Sequence, residues 1–198
     1  MSEHKSPFWW FFVPLLALIL LLAAGGESIR EALRYERAPL AALELWRLLG
    51  AHVVHLSWSH TLLNAVAVVL IGVIFNARAT LEWWWVALIL SIAAINVGLW
   101  LVSTDVGWYV GLSGALHGLF AMGAWLEWRQ GQRSGLYLLL GLAAKLVFEQ
   151  LAGALPMTAN AAGGPVVVDA HLYGALGGAL ACVLMRALQG APSEARGD

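Results

Sequence analysis

The chain has 198 residues, of which 61% are apolar and only 12% charged, and its mean hydropathy is +0.76. That balance lies outside the range of water-soluble domains and points to a polytopic membrane protein, a single membrane domain over residues 1–198. A net charge of −1 offers no basic surface to nucleic acid, and the lone Cys182 excludes an intrachain disulfide or a cysteine-based metal cluster.

A helix needs about 20 mostly apolar residues to cross a bilayer. Residues 8–24 are the first such stretch, short but uncharged. Lys5 ahead of an apolar run ending in "AAGG" also has the outline of a signal peptide. The "FWWFF" cluster fits an interfacial aromatic belt better, so a retained helix is expected. Further spans are expected over residues 59–75, 83–102, 113–128, 135–151 and 169–188. The expected fold is an all-α bundle of six transmembrane helices with both termini on one side. Residues 25–58 differ in kind: charges alternate, and Leu40, Leu43 and the Leu45–Leu49 stretch fit short amphipathic helices lying in the interface.

Orientation follows from Lys and Arg placement. With the N-terminus inside, cytoplasmic segments carry Lys5, Arg78, Arg129, Arg133, Arg186 and Arg196. The outer side carries Arg30, Arg34, Arg37 and Arg47, all in the long first loop and balanced there by Glu27, Glu31, Glu36 and Glu44. No repeat of the kind seen in inverted-repeat transporters is evident.

Polar side chains inside spans are costly and are functional candidates by default. His60 and Asn64 are four apart in span two, so they share a helix face; Ser113 and His117 repeat that spacing in span four, and His171 opens span six. With the N-terminus inside, all of them reach a similar depth in the outer half of the membrane. Gly114 and Gly118, and again Gly174 and Gly178, form small-xxx-small pairs that let spans four and six approach closely. Ser113 Oγ would then come within reach of a His171 imidazole nitrogen.

A serine hydroxyl is a poor nucleophile until a neighbouring base takes its proton. A Ser113/His171 dyad supplies that step even without a third acid to orient the histidine. At a helix start the Ser113 N–H lacks an intrahelical partner. It could stabilise a developing oxyanion together with the His60 imidazole and the Asn64 amide. The string Gly111-Leu112-Ser113-Gly114 alone is weak, since a turn plus a helix start explains it equally well. The set of Ser113, His171, His60 and Asn64 is more specific.

These residues resemble the rhomboid family of intramembrane serine proteases. The resemblance is carried by "LWR" (Trp46, Arg47), "HLSWSHTLLN" (His55 to Asn64), "GLSG" (Gly111 to Gly114) and "AHLYGALGG" (Ala170 to Gly178). It implies Ser113 as nucleophile and His171 as general base. His60, Asn64 and the Ser113 amide would form the oxyanion site, with Gly111, Gly114, His117, His55 and Gly174 in support. Many rhomboids carry Tyr four residues after the serine, whereas this chain has His117. That variant, on a small chain, resembles the rhombosortase branch. The resemblance implies membrane-anchored substrates with a C-terminal tail made of a Gly-Gly motif, an apolar helix and basic residues. Cleavage would release the acyl group to water or transfer it to an amine acceptor. The resemblance also implies a bacterial inner membrane, cytoplasmic termini and an active site opening to the periplasm. His117 would orient His171 or tune it through a second imidazole in the pocket.

Other polar residues have narrower readings. Lys145 and Glu149, four apart in span five, can pair along one helix face or recognise a polar or basic element of the substrate. Asp169 lies two residues before His171 and fits a helix cap, and His52 fits interfacial placement. No HExxH string is present and the histidines are accounted for without an ion, so no metal or other cofactor is expected. An ordinary rhomboid protease without tail preference and a non-catalytic rhomboid-like helix binder are the alternatives. An intact Ser113/His171 pair argues against the latter.

Overall fold

The computed structural model describes residues 8–189, so Lys5 and Arg196, two of the charges used above for orientation, lie outside the described residues. A π-helical turn at Phe8–Phe12 leads into α1 (Val13–Ala24), and α2 (Gly26–Leu33) follows after a bend of 115°. The long helices are α5 (Trp58–Phe75), α6 (Leu81–Leu101), α7 (Ser113–Arg129), α8 (Arg133–Ala152) and α10 (Val168–Gln189). Four of these, α5, α6, α8 and α10, are long and apolar enough to cross a membrane, and the bent α1–α2 pair makes five candidates. The protein is an integral membrane protein built almost entirely of helix. The short α7 adds 17 residues, about 26 Å at 1.5 Å per residue.

The first loop holds short helices as expected, α2 followed by α3 (Arg37–Ala41) and α4 (Arg47–Gly50), but turns rather than helix run from Ala42 to Trp46. Leu43 adopts φ 68°, a left-handed conformation that no helix interior accepts, so helix does not run through Leu45 and Trp46. Leu43, Leu45, Trp46 and Leu49 are exposed, an apolar face of the kind an interfacial loop presents to lipid. The side chain of Arg47 turns inward. Its guanidinium donates to the Glu44 carboxylate at 2.7 Å and to the Glu31 and Arg34 carbonyls at 2.7 and 3.0 Å, tying the loop's turns together.

Two short strands join this loop to the segment ahead of α7. β1 (Tyr35–Glu36) pairs antiparallel with β2 (Trp108–Tyr109), with Tyr35 opposite Tyr109. Arg37 reinforces the junction by donating to the Leu99 carbonyl at the end of α6 and to the Ser103 and Val106 carbonyls in the loop that follows. Such carbonyls lack intrahelical partners and attract a cation.

The core centres on α7, which packs against α10, α6, α8 and α5. Leu112, Leu119, Met122, Ile95, Leu99, Ala170 and Ala181 are fully buried between these helices. Small residues decide the spacing of α7 and α10. A Cβ on Gly114 would meet the Ala170 carbonyl oxygen at 2.6 Å, and Cβ atoms on Gly174 and Gly178 would fall on the carbonyls of Gly114 and Gly118. The two backbones are therefore in direct contact, a distance no side chain permits. A final short helix, α9 (Pro156–Ala162), lies against α5. Ser57, the N-cap of α5, accepts from the His60 N–H and donates its hydroxyl to the Ala162 carbonyl, which fastens the two together.

Candidate active site

Ser113 is the first residue of α7, where its N–H has no acceptor within the helix. The turn before it is held on both sides. Gly111 has φ +123°, its N–H donates to the Ala51 carbonyl at 2.8 Å, and its carbonyl accepts from the Tyr109 hydroxyl. A Cβ at Gly111 would also meet His60 Cε1 at 3.0 Å, so this position requires glycine both for its conformation and for the space beside His60. The next N–H, that of Leu112, donates to His55 Nε2 at 3.4 Å. The first loop thus reaches the residue adjoining Ser113.

Across the α7–α10 contact, Ser113 Oγ lies 2.9 Å from His171 Nε2. His171 is buried, while Ser113 is half-buried. The imidazole is constrained on its other edge as well: Nδ1 is 2.9 Å from Glu149 Oε2 on α8. A carboxylate only accepts, so Nδ1 carries the hydrogen, and Nε2 presents a lone pair to the Ser113 hydroxyl. The second Glu149 oxygen is 2.6 Å from the Lys145 ammonium one turn earlier. Glu149 and His171 are 1% and 2% exposed, so this contact is closed to solvent.

His117 lies flat on His171, with ring centroids 4.2 Å apart and planes inclined by 15°. Its Nδ1–H donates to the Ser113 carbonyl at 2.7 Å, which fixes the ring against its own helix. The stack holds the face of His171 while Glu149 holds its edge. His60 and Asn64 are buried on α5, with Asn64 donating one amide hydrogen to the His60 carbonyl at 3.0 Å. His55 meets His60 edge to face at 4.9 Å between centroids.

Ser113, His171, His60, Asn64, His117 and Lys145 all line one cavity of about 670 Å³ between α5 and α8. Its remaining walls are mostly apolar, including Leu63, Ala67, Phe120 and Leu142, with Tyr137 and Thr158 among them, and Ala161 and Ala162 of α9 bound it. A second cavity of about 310 Å³, with Asp105, Trp108 and Val167 on its wall, shares His60, Ser113 and Val166 with the first. Ser113 therefore stands where a large, mostly apolar space meets a smaller one.

The structure separates the roles sketched for several residues. Lys145 lines the large cavity, whereas Glu149 is absent from its wall and turns one carboxylate oxygen to His171. Asp169 accepts from the Ser103 hydroxyl, and the His171 ring nitrogens are met by Ser113 and Glu149 instead. His52 is fully buried against Tyr109, at 5.5 Å between centroids, rather than placed at an interface. Burial lowers its pKa to about 4, and burial together with the neighbouring His60 lowers that of His55 to about 3. His117, Glu149 and His171 have ligand atoms within 4.8 Å of one another. The nitrogens of His171 are already committed to Ser113 and Glu149, and the Lys145 ammonium opposes a cation there. Tyr109 and the contact of Glu149 with His171 are the parts that sequence reasoning missed. Only the four-residue spacing of Lys145 and Glu149 hinted that a charge was needed in that span.

The Rhomboid domain family model matches residues 42–188. The chain is also 28% identical over 158 residues to the proteins described as "Uncharacterized protein Mb1372" of Mycobacterium bovis and "Uncharacterized protein Rv1337" of Mycobacterium tuberculosis. The match covers 75% of this chain and 62% of those relatives, so the chain spans somewhat less than two thirds of their length. No solved structure matches it significantly. With the family model covering most of its length, the chain belongs to the rhomboid family.

Proposed function

We propose that the protein is an intramembrane serine endopeptidase with Ser113 as nucleophile and His171 as general base. The observation that carries this reading is the 2.9 Å contact between Ser113 Oγ and His171 Nε2, at the wall of an apolar cavity sized for part of a helix. Ser113 Oγ bonds to the scissile carbonyl carbon as its proton passes to Nε2. The oxyanion forms against the Ser113 N–H, the His60 imidazole and the Asn64 amide. Collapse expels the amine of the downstream fragment, which takes the proton back from His171. Water, or an amine acceptor, then releases the acyl group from Ser113. Gly111, Gly114, Gly174, His55 and His117 act by holding these groups in place.

The depth of the site supports cleavage within the membrane. A helix of about 26 Å is shorter than the roughly 30 Å hydrocarbon core. With Arg129 at the cytoplasmic interface, Ser113 lies below the opposite surface. The six spans, the cytoplasmic termini and an active site facing the periplasm of a bacterial inner membrane belong to the same reading.

His117 in place of the tyrosine of many rhomboids supports the rhombosortase branch. The substrates are then secreted or surface proteins with a C-terminal Gly-Gly, apolar and basic tail. The test is cleavage of a tailed reporter in proteoliposomes, with mass spectrometry of the new C-terminus. A cut near the Gly-Gly motif that disappears when the motif is deleted supports this branch, and any group added to that terminus identifies transfer. Unchanged cleavage after the deletion would identify a general rhomboid protease. No cleavage of any transmembrane reporter would overturn the enzymatic reading.

A further inference from the structure

We propose that Glu149 is a positioning carboxylate for His171, so that the site works as a Ser113–His171–Glu149 relay rather than a dyad. This inference rests on the serine-protease reading above. The carboxylate and Ser113 sit on opposite edges of the same imidazole, each 2.9 Å from a ring nitrogen. That arrangement fixes one tautomer, with the hydrogen on Nδ1 and the lone pair on Nε2, and it does so before substrate arrives. Glu149 and His171 come from different helices, α8 and α10, so the bond is a feature of the tertiary fold rather than of one helix face.

Lys145 explains how a carboxylate can serve there. An ionised acid in a low-dielectric interior is costly unless it is paired and its lone pairs are met. Lys145 neutralises Glu149 through Oε1 at 2.6 Å and leaves Oε2 for His171. A purely structural ion pair between residues four apart needs no third partner, and its acid has no reason to turn a second oxygen onto the imidazole that faces the nucleophile. When the Ser113 proton moves to Nε2, the imidazolium lies between the Glu149 carboxylate and the new oxyanion, with the Lys145 charge already balanced. No proton leaves Nδ1. The flat stack of His117 at 4.2 Å restrains the one motion, tilting out of the ring plane, that the edge bond resists least.

The test uses a fluorophosphonate probe on the full chain in detergent. Phosphonylation forms a bond from Ser113 Oγ to phosphorus, breaks the P–F bond and passes the hydroxyl proton to His171, so its rate reads the base directly. Wild type, Glu149→Gln, Glu149→Asp and Ser113→Ala are compared for kinact, KI and melting temperature. Glutamine keeps an acceptor for Nδ1–H while removing the charge. A relay predicts a kinact about 10²–10⁴-fold lower in Glu149→Gln, with KI within about twofold and little change in melting. Glu149→Asp recovers at least about tenfold over glutamine, because its carboxylate still reaches toward Nδ1. A kinact for Glu149→Gln within about threefold of wild type would overturn the proposal, as would a loss that tracks melting and is equal in the aspartate variant. If Glu149→Gln cannot be isolated folded, Lys145→Met/Glu149→Gln removes both charges of the buried pair and is judged by the same split. The two readings fail separately. Labelling that persists in Ser113→Ala sinks the protease assignment, whereas Ser113→Ala unlabelled beside a wild-type rate in Glu149→Gln sinks only the relay.

Discussion

Gly174 has no room for a side chain, because the carbonyl oxygen of Gly114 occupies the place its Cβ would take. This contact sets the distance between α7 and α10, and with it the distance between Ser113 and His171. Gly174→Val is expected to push the helices apart, with a stability loss of about 1–3 kcal/mol or more from overpacking. Probe labelling of Ser113 should fall at least about 100-fold, since a 1 Å misplacement already costs that much. Melting curves and labelling rates of the purified variant check both parts, and full activity would contradict the packing.

At Gly111 the backbone has φ +123°, and a methyl group there would press on the His60 ring at 3.0 Å. Gly111→Ala is expected to strain the turn by about 1–3 kcal/mol and to shift His60 away from the nucleophile. Cleavage of a transmembrane reporter should drop about tenfold to a hundredfold, the range for a displaced oxyanion donor. Comparing reporter cleavage by the variant and wild type checks this, and equal rates would argue against a role for His60 beside Ser113.

His117 contributes a flat ring against His171 and one hydrogen bond to the Ser113 carbonyl. His117→Tyr keeps the ring and is expected to retain activity within about tenfold of wild type, the loss being one hydrogen bond of about 1 kcal/mol. His117→Ala removes the stacking surface as well and leaves a cavity, so a further drop of about tenfold is expected. Steady-state cleavage of one reporter by both variants gives the order. An alanine variant as active as the tyrosine variant would show that the stack positions nothing.

The first loop carries its own pH dependence. In the unfolded chain His52 titrates near 6.5, and in the fold burial holds its pKa at about 4. Below pH 6.5 the unfolded chain takes up a proton that the folded chain refuses, so stability falls as pH drops from about 6.5 toward 4. The slope is up to about 1.4 kcal/mol per pH unit for this group, and His55 adds to it in the same direction. His52→Phe keeps a ring beside Tyr109 and removes the titration. Its melting temperature, followed from pH 7 to 4, should fall less steeply than that of wild type.

Long helices were the most legible part of the chain. Apolar runs of membrane length marked α5, α6, α8 and α10, because lipid demands such runs whatever the neighbouring helices do. The nearness of Ser113 and His171 was legible through paired glycines, which have few purposes in a membrane other than close packing. The strands β1 and β2 left no pattern, since two residues are too few to show alternation. The break at Leu43 was hidden by a run of leucines that reads as helix until the backbone reverses. Glu149 shows a different limit. Its spacing from Lys145 revealed the ion pair within α8, but the bond to His171 spans 22 residues and depends on how α8 leans on α10.

The most direct measurement is peptide mapping of the fluorophosphonate adduct on the full chain in detergent. A Ser113 nucleophile activated by His171 gives a single phosphonylated residue, Ser113, in wild type, and no adduct in Ser113→Ala or in His171→Ala. An adduct on any other serine, or labelling of Ser113 undiminished without His171, would contradict it.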